Sequence, residues 1–372
     1  MSDYRDAYYP GTEQLGPSEM RVTALGTGMP NLRPSQMSCS YAVELGNGDV
    51  FLFDLGTGSM SRFPALGLSY ERANKLFLTH LHTDHMGDFL AWYVGGWIEG
   101  RQRGVRVWGP SGTSPELGTK HCIEHLIEGA RWDIVSRHGR LPASSVEIEV
   151  NEFDYTQDNE IVYDENGVVV RSWPAVHFID GPISYSLEWE GLKLVVGGDT
   201  APNKWYVEHA KGADLIIHEC FITIDVLAEK FGFPMWRAIE VGARGHTSPL
   251  ACGVVFREVA PRHAIAYHFF NDHMTAPKVL EGLRANYDGG LSLAKDLMVW
   301  NVTKDQIIER FLIPNPDTWP VPPEDAVDPS TLPYKERTPL SDWVKAGEFV
   351  IEEVEERIQQ EEAENPDAVR PS

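Results

Sequence analysis

No apolar run in this 372-residue chain approaches the ~20 residues a membrane-spanning helix needs, so no membrane partner is expected. Cysteine is scarce. Cys39, Cys122, Cys220 and Cys252 lie far apart with no CxxC pair, which excludes a disulfide framework or a thiolate metal cluster and leaves reduced, mostly buried thiols. Positive charge is also short: 32 Lys and Arg stand against 55 Asp and Glu, for a net charge of −23. A polyanion draws most of its affinity from Lys and Arg contacts to phosphate, so nucleic acid is not an expected partner. The start, Met1-Ser2-Asp3-Tyr4-Arg5, has no basic segment leading into an apolar core. The expectation is a cytoplasmic protein, the alternative being a leader removed ahead of this sequence. Gly26-x-Gly28 lacks the third glycine and the later acid of a dinucleotide fingerprint.

What the chain does have is Thr79-His80-Leu81-His82-Thr83-Asp84-His85, directly after the apolar run Lys75-Leu76-Phe77-Leu78. That run reads as a short buried strand, which puts the cluster at the strand's C-terminal end, where α/β folds place their chemistry. Side chains alternate along an extended strand end, so His80 and His82 project to one side. The following turn can then return Asp84 and His85 to the same point. Imidazole and carboxylate ligands of this kind suit zinc, with iron and manganese as alternatives.

Strand-like runs occur at Met20–Leu25, Tyr41–Leu45, Val50–Phe53 and Leu76–Leu78, with helices predicted over Phe89–Trp97 and Thr113–Ala130. A second half repeats the habit: strands over Val168–Ser172, Ile183–Trp189, Leu192–Val196, Asp214–Ile217 and Ala264–Tyr267, and a helix near Pro249–Glu258. Phe51–Asp54 and Leu194–Asp199 look like counterparts, each an apolar strand that ends in an acid. Beyond Pro314 the character changes. Eight prolines in the 26 residues from Pro314 to Pro339 predict an extended strap. Within Ser341–Glu364, Trp343, Ala346, Val350, Val354 and Ile358 recur at helical spacing opposite an acidic face. Such a stripe needs a partner surface, either its own domain or a second subunit, and a homodimer is the expected arrangement.

The spacing His80-x-His82-x-Asp84-His85 resembles the HxHxDH signature of the metallo-β-lactamase fold. The resemblance runs over residues 20–313 and points to the ribonuclease Z/arylsulfatase-like branch. It is carried, in order, by Ala24-Leu25-Gly26-Thr27-Gly28-Met29-Pro30, Phe51-Leu52-Phe53-Asp54-Leu55-Gly56, Gly109-Pro110, Val176-His177, Gly197-Gly198-Asp199-Thr200, Ile217-His218-Glu219-Cys220, Gly245-His246-Thr247-Ser248 and Tyr267-His268-Phe269. The chain is also similar to a subgroup of such hydrolases found with guanitoxin biosynthesis genes. The resemblance implies an α/β fold, an αββα sandwich over residues 20–313. Residues 1–19 would be an N-terminal extension, and 314–372 a Pro-rich acidic extension ending in a helix.

It also implies a dinuclear centre of two Zn2+, with Mn2+ or Fe2+ as alternatives. His80, His82 and His177 would hold one ion, Asp84, His85 and His268 the other, and Asp199 would bridge. A water shared by two cations loses its proton near neutral pH and becomes the attacking hydroxide. Asp84, His246 and Glu219 are the implied catalytic residues: Glu219 would pair with His246, raise its pKa and favour an imidazolium able to protonate a leaving oxygen. Asp54 suits an acceptor that orients a ligand imidazole, or a loop cap. Trp92 and Trp97, nearest the cluster, are the expected wall of the substrate pocket. His121 and His125, at i and i+4 of a predicted helix, are spaced to bind a metal together, but a solvated surface pair is the expectation.

Charge then bears on the substrate. The tail from Pro314 holds 5 basic and 15 acidic residues, leaving −13 on the rest. Residues 141–172 correspond to the place where ribonucleases Z carry a basic RNA-gripping arm. Here they carry Glu147, Glu149, Glu152, Asp154, Asp158, Glu160, Asp164 and Glu165. The expected substrate is therefore a small ester, a phosphodiester or an aryl sulfate. A lactone, amide or thioester hydrolase is the alternative reading, and a non-haem iron redox protein the third.

Overall fold

The computed structural model describes residues 4–327, 332 and 338–364. Two mixed sheets lie face to face. The first runs in spatial order Ala7–Tyr8, Ile307–Leu312, Met298–Val302, Met20–Gly26, Ser40–Leu45, Val50–Phe53, Lys75–Phe77, Val105–Pro110 and Ile148–Phe153. The second runs Leu291–Leu293, His263–Tyr267, Leu215–Glu219, Leu192–Val196, Ile183–Trp189, Val168–Pro174 and Glu160–Glu165. Three apolar clusters account for this layering. One fills the space between the sheets, with Phe51, Phe53, Phe77 and Trp108 meeting Val170, Tyr185, Leu194 and Ile217. Phe77 and Trp108 stack there, with ring centroids 4.6 Å apart. The second cluster seals the outer face of the first sheet under helix Phe89–Ile98. The third seals the other sheet under helices Pro249–Val259 and Ala276–Arg284. The expected αββα sandwich is the observed fold. Strands buried on both faces read as continuous apolar runs, which is why they were legible in the sequence.

The central strands Val50–Phe53, Lys75–Phe77 and Val105–Pro110 run parallel to one another, as do Leu192–Val196, Leu215–Glu219 and His263–Tyr267. Their C-terminal ends therefore open at one edge of the sandwich. Gly198, at φ +62°, turns the chain there against Thr79, whose Cβ would lie 2.7 Å from any side-chain carbon at that position. Only glycine allows Asp199 to approach the histidine cluster so closely.

Several expectations need correcting. The helix expected over Thr113–Ala130 is a short 3-10 turn, Pro115–Leu117, followed by helix Thr119–Gly129, because Gly118 keeps an extended backbone between them. The acidic segment 141–172 contributes strands Ile148–Phe153 and Glu160–Glu165 at the edges of the two sheets. Residues Ala7–Tyr8 of the expected N-terminal extension pair with Phe311–Leu312. In the tail, Ser341–Glu364 is two helices, Asp342–Lys345 and Glu352–Glu364, and Gly347 lies in the break. Trp343, Val350 and Val354 are exposed there, so the stripe does not pack on the sandwich. Part of the proline strap lies outside the described residues. Among the described residues no helix is long and apolar enough to cross a membrane.

Candidate metal centre

His82 caps the short helix Thr83–Met86, whose first turn carries Asp84 and His85 back toward His80. The more distant residues arrive from the ends of the second sheet's strands: His177 after Val168–Pro174, Asp199 after Leu192–Val196, and His268 after His263–Tyr267. Ligand-type atoms of His80, His82, His177 and Asp199 all lie within 4.8 Å of one another. So do those of Asp84, His85, Asp199 and His268. Asp199 belongs to both sets, the geometry a bridging carboxylate requires. All seven residues named from the sequence are thus brought together.

The donor chemistry of this cage fits a divalent pair. His80 Nε2 faces His82 Nδ1 at 3.0 Å, and His177 Nε2 faces the same atom at 3.3 Å. Buried His85 Nε2 and Asp199 Oδ1 stand 3.1 Å apart, yet neither is satisfied by a hydrogen bond. Converging ring nitrogens and orphaned buried acceptors are costly unless a cation meets them. Burial pushes His80 well below the ordinary histidine range and His177 down to about 4, which favours the neutral, ligating imidazole. His85 goes the other way. Burial alone would lower its pKa, but Asp199, Asp54 and Asp84 around it drive it well up.

Neighbouring groups fix the ligands in place. Asp54 is fully buried at φ +58°; its Oδ2 lies 2.7 Å from His85 Nδ1, and its Oδ1 accepts from Thr79 N at 2.7 Å. His177 Nδ1 meets the Gly245 carbonyl at 2.6 Å. These contacts fix which imidazole nitrogen points into the cage.

His246 sits beside the cage, Nδ1 3.8 Å from Asp199 Oδ2. The same Nδ1 lies 2.9 and 3.1 Å from the two oxygens of Glu219, whose Oε1 also accepts from Thr200 N at 2.6 Å. Phe221 stacks on the His246 ring, centroids 4.2 Å apart and planes 5° apart, and Phe178 meets it edge-on at 5.5 Å. The pairing of His246 with Glu219 is present, but the expected rise in the His246 pKa is not. Burial lowers it, overcoming Asp199 and Asp84, while burial beside Asp199 pushes Glu219 well up. His218, next in sequence, points inward against Tyr206, with burial lowering it to about 4.

Trp92 and Trp97 do not line the pocket. Both are buried beneath helix Phe89–Ile98, where Trp92 Nε1 donates to Ala73 O at 2.8 Å and Trp97 Nε1 to Pro142 O at 2.9 Å. The helix Phe89–Ile98 is apolar nearly all round, so its sequence does not mark which face turns inward, and packing against the first sheet decides it. The cavity beside His80, His82 and His177 is lined instead by helix Thr119–Gly129 and loop residues 179–182. His121 and His125 are part of that lining, their rings 3.9 Å apart. Nothing in the helical spacing of His121 and His125 tied them to the distant histidine cluster.

The chain is similar to known proteins in both sequence and fold. Residues 50–269 match the family model described as the beta-lactamase superfamily domain. The ribonuclease Z of Mycobacterium marinum (strain ATCC BAA-535 / M) is 31% identical over 229 residues, which is 60% of this chain and 76% of that protein. The ribonuclease Z of Mycobacterium avium (strain 104) is 32% identical over 204 residues, 54% of this chain and 69% of that protein. Among solved structures, the metallo-beta-lactamase fold protein YhfI from Bacillus subtilis aligns with a TM-score of 0.57 at 16% identity, over 77% of this chain and 100% of that one. The human short-form tRNase Z aligns at 0.55 with 18% identity, over 75% of this chain and 98% of that one.

Proposed function

The chain belongs to the beta-lactamase superfamily, and from that premise we propose that it is a dinuclear-metal hydrolase of small phosphodiesters. It is a hydrolase of phosphoester bonds in its broad class, in keeping with its ribonuclease Z relatives. One observation carries the finer reading: Asp199 is shared by two histidine-rich donor sets, with His246 beside it. His80, His82 and His177 would hold one divalent ion, and Asp84, His85 and His268 the other. Such a pair supplies Lewis-acid charge and lowers the pKa of water.

The chain's own residues complete the site. Asp54 holds the His85 ring in one orientation through Nδ1. Burial of His246 and Glu219 favours one proton shared between Nδ1 and the carboxyl, with a second proton on Nε2. Nε2 then donates to the leaving oxygen as negative charge grows on it. The Phe221 ring stacks parallel on His246 and covers one of its faces.

Acidic surface argues for a small substrate over RNA. Of the acids in segment 141–172, Glu165 and Glu149 lie on Arg106 at 2.7 and 3.4 Å, so that arginine is already engaged. An aryl sulfate is the second substrate of the same class, since it too carries a single negative charge spread over non-bridging oxygens. Zinc is the proposed metal on donor chemistry.

The experiment is turnover of bis(p-nitrophenyl) phosphate and p-nitrophenyl sulfate by zinc-loaded and chelated protein. Chelator-sensitive cleavage of the diester is expected. No turnover of either ester with metal bound would overturn the phosphodiester reading in favour of lactones and other carbonyl substrates.

A further inference from the structure

We infer that the cavity beside His80, His82 and His177 receives an uncharged aryl group, so that the substrate carries its one negative charge at the ester under attack. This rests on the hydrolase reading above and narrows its substrate class.

The cavity has a volume of about 470 Å3, enough for a substituted ring. One wall is the face of helix Thr119–Gly129 that presents His121, Cys122, His125 and Leu126, residues one helical turn apart. Ile179 and Pro182 belong to the apolar lining as well. Leu81, Pro110 and Leu117 extend the apolar lining. Ring-sized apolar surface removed from water here gains affinity in proportion to its area.

Charge decides what that ring cannot carry. Among the described residues that line the cavity there is no Lys or Arg, whereas Glu116 and Asp180 both do. A second phosphate or a carboxylate on the ring, away from the ion that His80, His82 and His177 would hold, would lose its hydration, meet no Lys or Arg and face two acids. Extended polyanions are excluded by the same chemistry. Ser111, His121 and His125 offer hydrogen bonds that suit a neutral substituent on the ring.

The geometry also fixes which part of the ester enters. His246 is not among the lining residues, although its ring centroid is 4.9 Å from that of His177. The leaving oxygen therefore faces His246, and the group retained on phosphorus occupies the cavity. In the hydrolysis a water oxygen forms the new bond to phosphorus and the bond to the leaving oxygen breaks. The leaving oxygen takes a proton from His246, which water then replaces.

Three diesters with one leaving group test this: methyl, phenyl and 4-carboxyphenyl p-nitrophenyl phosphate, with zinc-loaded protein. The phenyl ester is expected to exceed each of the others in kcat/KM by about tenfold or more. Ile179→Arg and Leu117→Arg each place a guanidinium in an exposed part of the wall. Each should bring the carboxyphenyl ester to within about twofold of the phenyl ester. Equal turnover of methyl and phenyl esters, equal turnover of phenyl and carboxyphenyl esters by the unaltered protein, or unmoved ratios in both variants would overturn the inference.

Ligand-observed NMR on metal-free protein separates failure of the reaction from failure of the cavity. Binding of phenol but not benzoate, weakened by Ile179→Arg, upholds the aryl subsite even if no diester is cleaved. Absence of phenol binding, or equal binding of benzoate, overturns it.

Discussion

Asp54 Oδ2 and His85 Nδ1 stand 2.7 Å apart, and neither side chain has any solvent exposure. The contact ties the acid at the end of one strand to the last residue of the histidine cluster after the next. Asp54 holds a left-handed backbone, at φ +58°, that ordinary residues adopt at a cost of ~1–3 kcal/mol. Thr79 secures both of its oxygens, through N at 2.7 Å and Oγ1 at 2.8 Å. A loop cap alone would not need a buried carboxylate on an imidazole.

Replacing that carboxylate should loosen the metal without unfolding the sandwich. Asp54→Asn is expected to lower zinc affinity by about 10–100-fold, the usual effect of losing a group that orients a ligand. Competition with a chromophoric chelator measures this. Unchanged affinity would reduce Asp54 to a loop cap.

The His246–Glu219 pair should act on turnover rather than on metal. His246→Ala is expected to slow cleavage of a phosphodiester by about 10²–10⁴-fold while zinc content stays the same. Glu219→Gln should fall in the same direction by less. An activated lactone, whose leaving group needs no proton, should be affected far less. Equal losses on both substrates would show that His246 serves the fold or the metal instead.

Asp199 is common to both donor sets, so Asp199→Ala should remove all hydrolysis and lower zinc content to one ion or fewer. Elemental analysis alongside activity checks this. An active Asp199→Ala variant would sink the dinuclear model.

Acid should destabilise the metal-free protein through His218. Burial lowers its pKa from 6.5 to about 4, so the unfolded chain takes up this proton first as pH falls. Stability from this residue is present above pH 6.5 and declines as pH drops toward about 4, by up to about 3 kcal/mol. Chemical denaturation of wild type and His218→Asn across that window measures it. The variant should show the shallower slope, and equal slopes would place the acid sensitivity elsewhere.

The tail is the proposed dimer arm, since Trp343, Phe349 and Val350 are exposed. Deleting the residues after Pro314 should convert a dimer to a monomer in sedimentation velocity while leaving the melting temperature of the sandwich nearly unchanged. If the truncated chain keeps its size, the arm reading fails.

The sequence by itself determined the layers and half of the cage. Apolar runs such as Val50–Phe53, Ile183–Trp189 and Leu192–Val196 gave strands at those same bounds, because a strand buried on both faces has little freedom in composition. His80, His82, Asp84 and His85 were legible because one strand end and one helical turn bring them together within a few residues. His177, Asp199, Glu219, His246 and His268 have no such local signal. Apart from the apolar strand that ends in Asp199, only the family resemblance singled them out, since their meeting depends on parallel strands ending at one edge. What tertiary structure alone decided was the pocket. Rotation of helix Phe89–Ile98 buried Trp92 and Trp97 in the core, while helix Thr119–Gly129 turned His121 and His125 toward the metal cage. Helical periodicity gives the spacing of a face but not the neighbour it will meet, and packing settles that over distances the sequence does not encode locally.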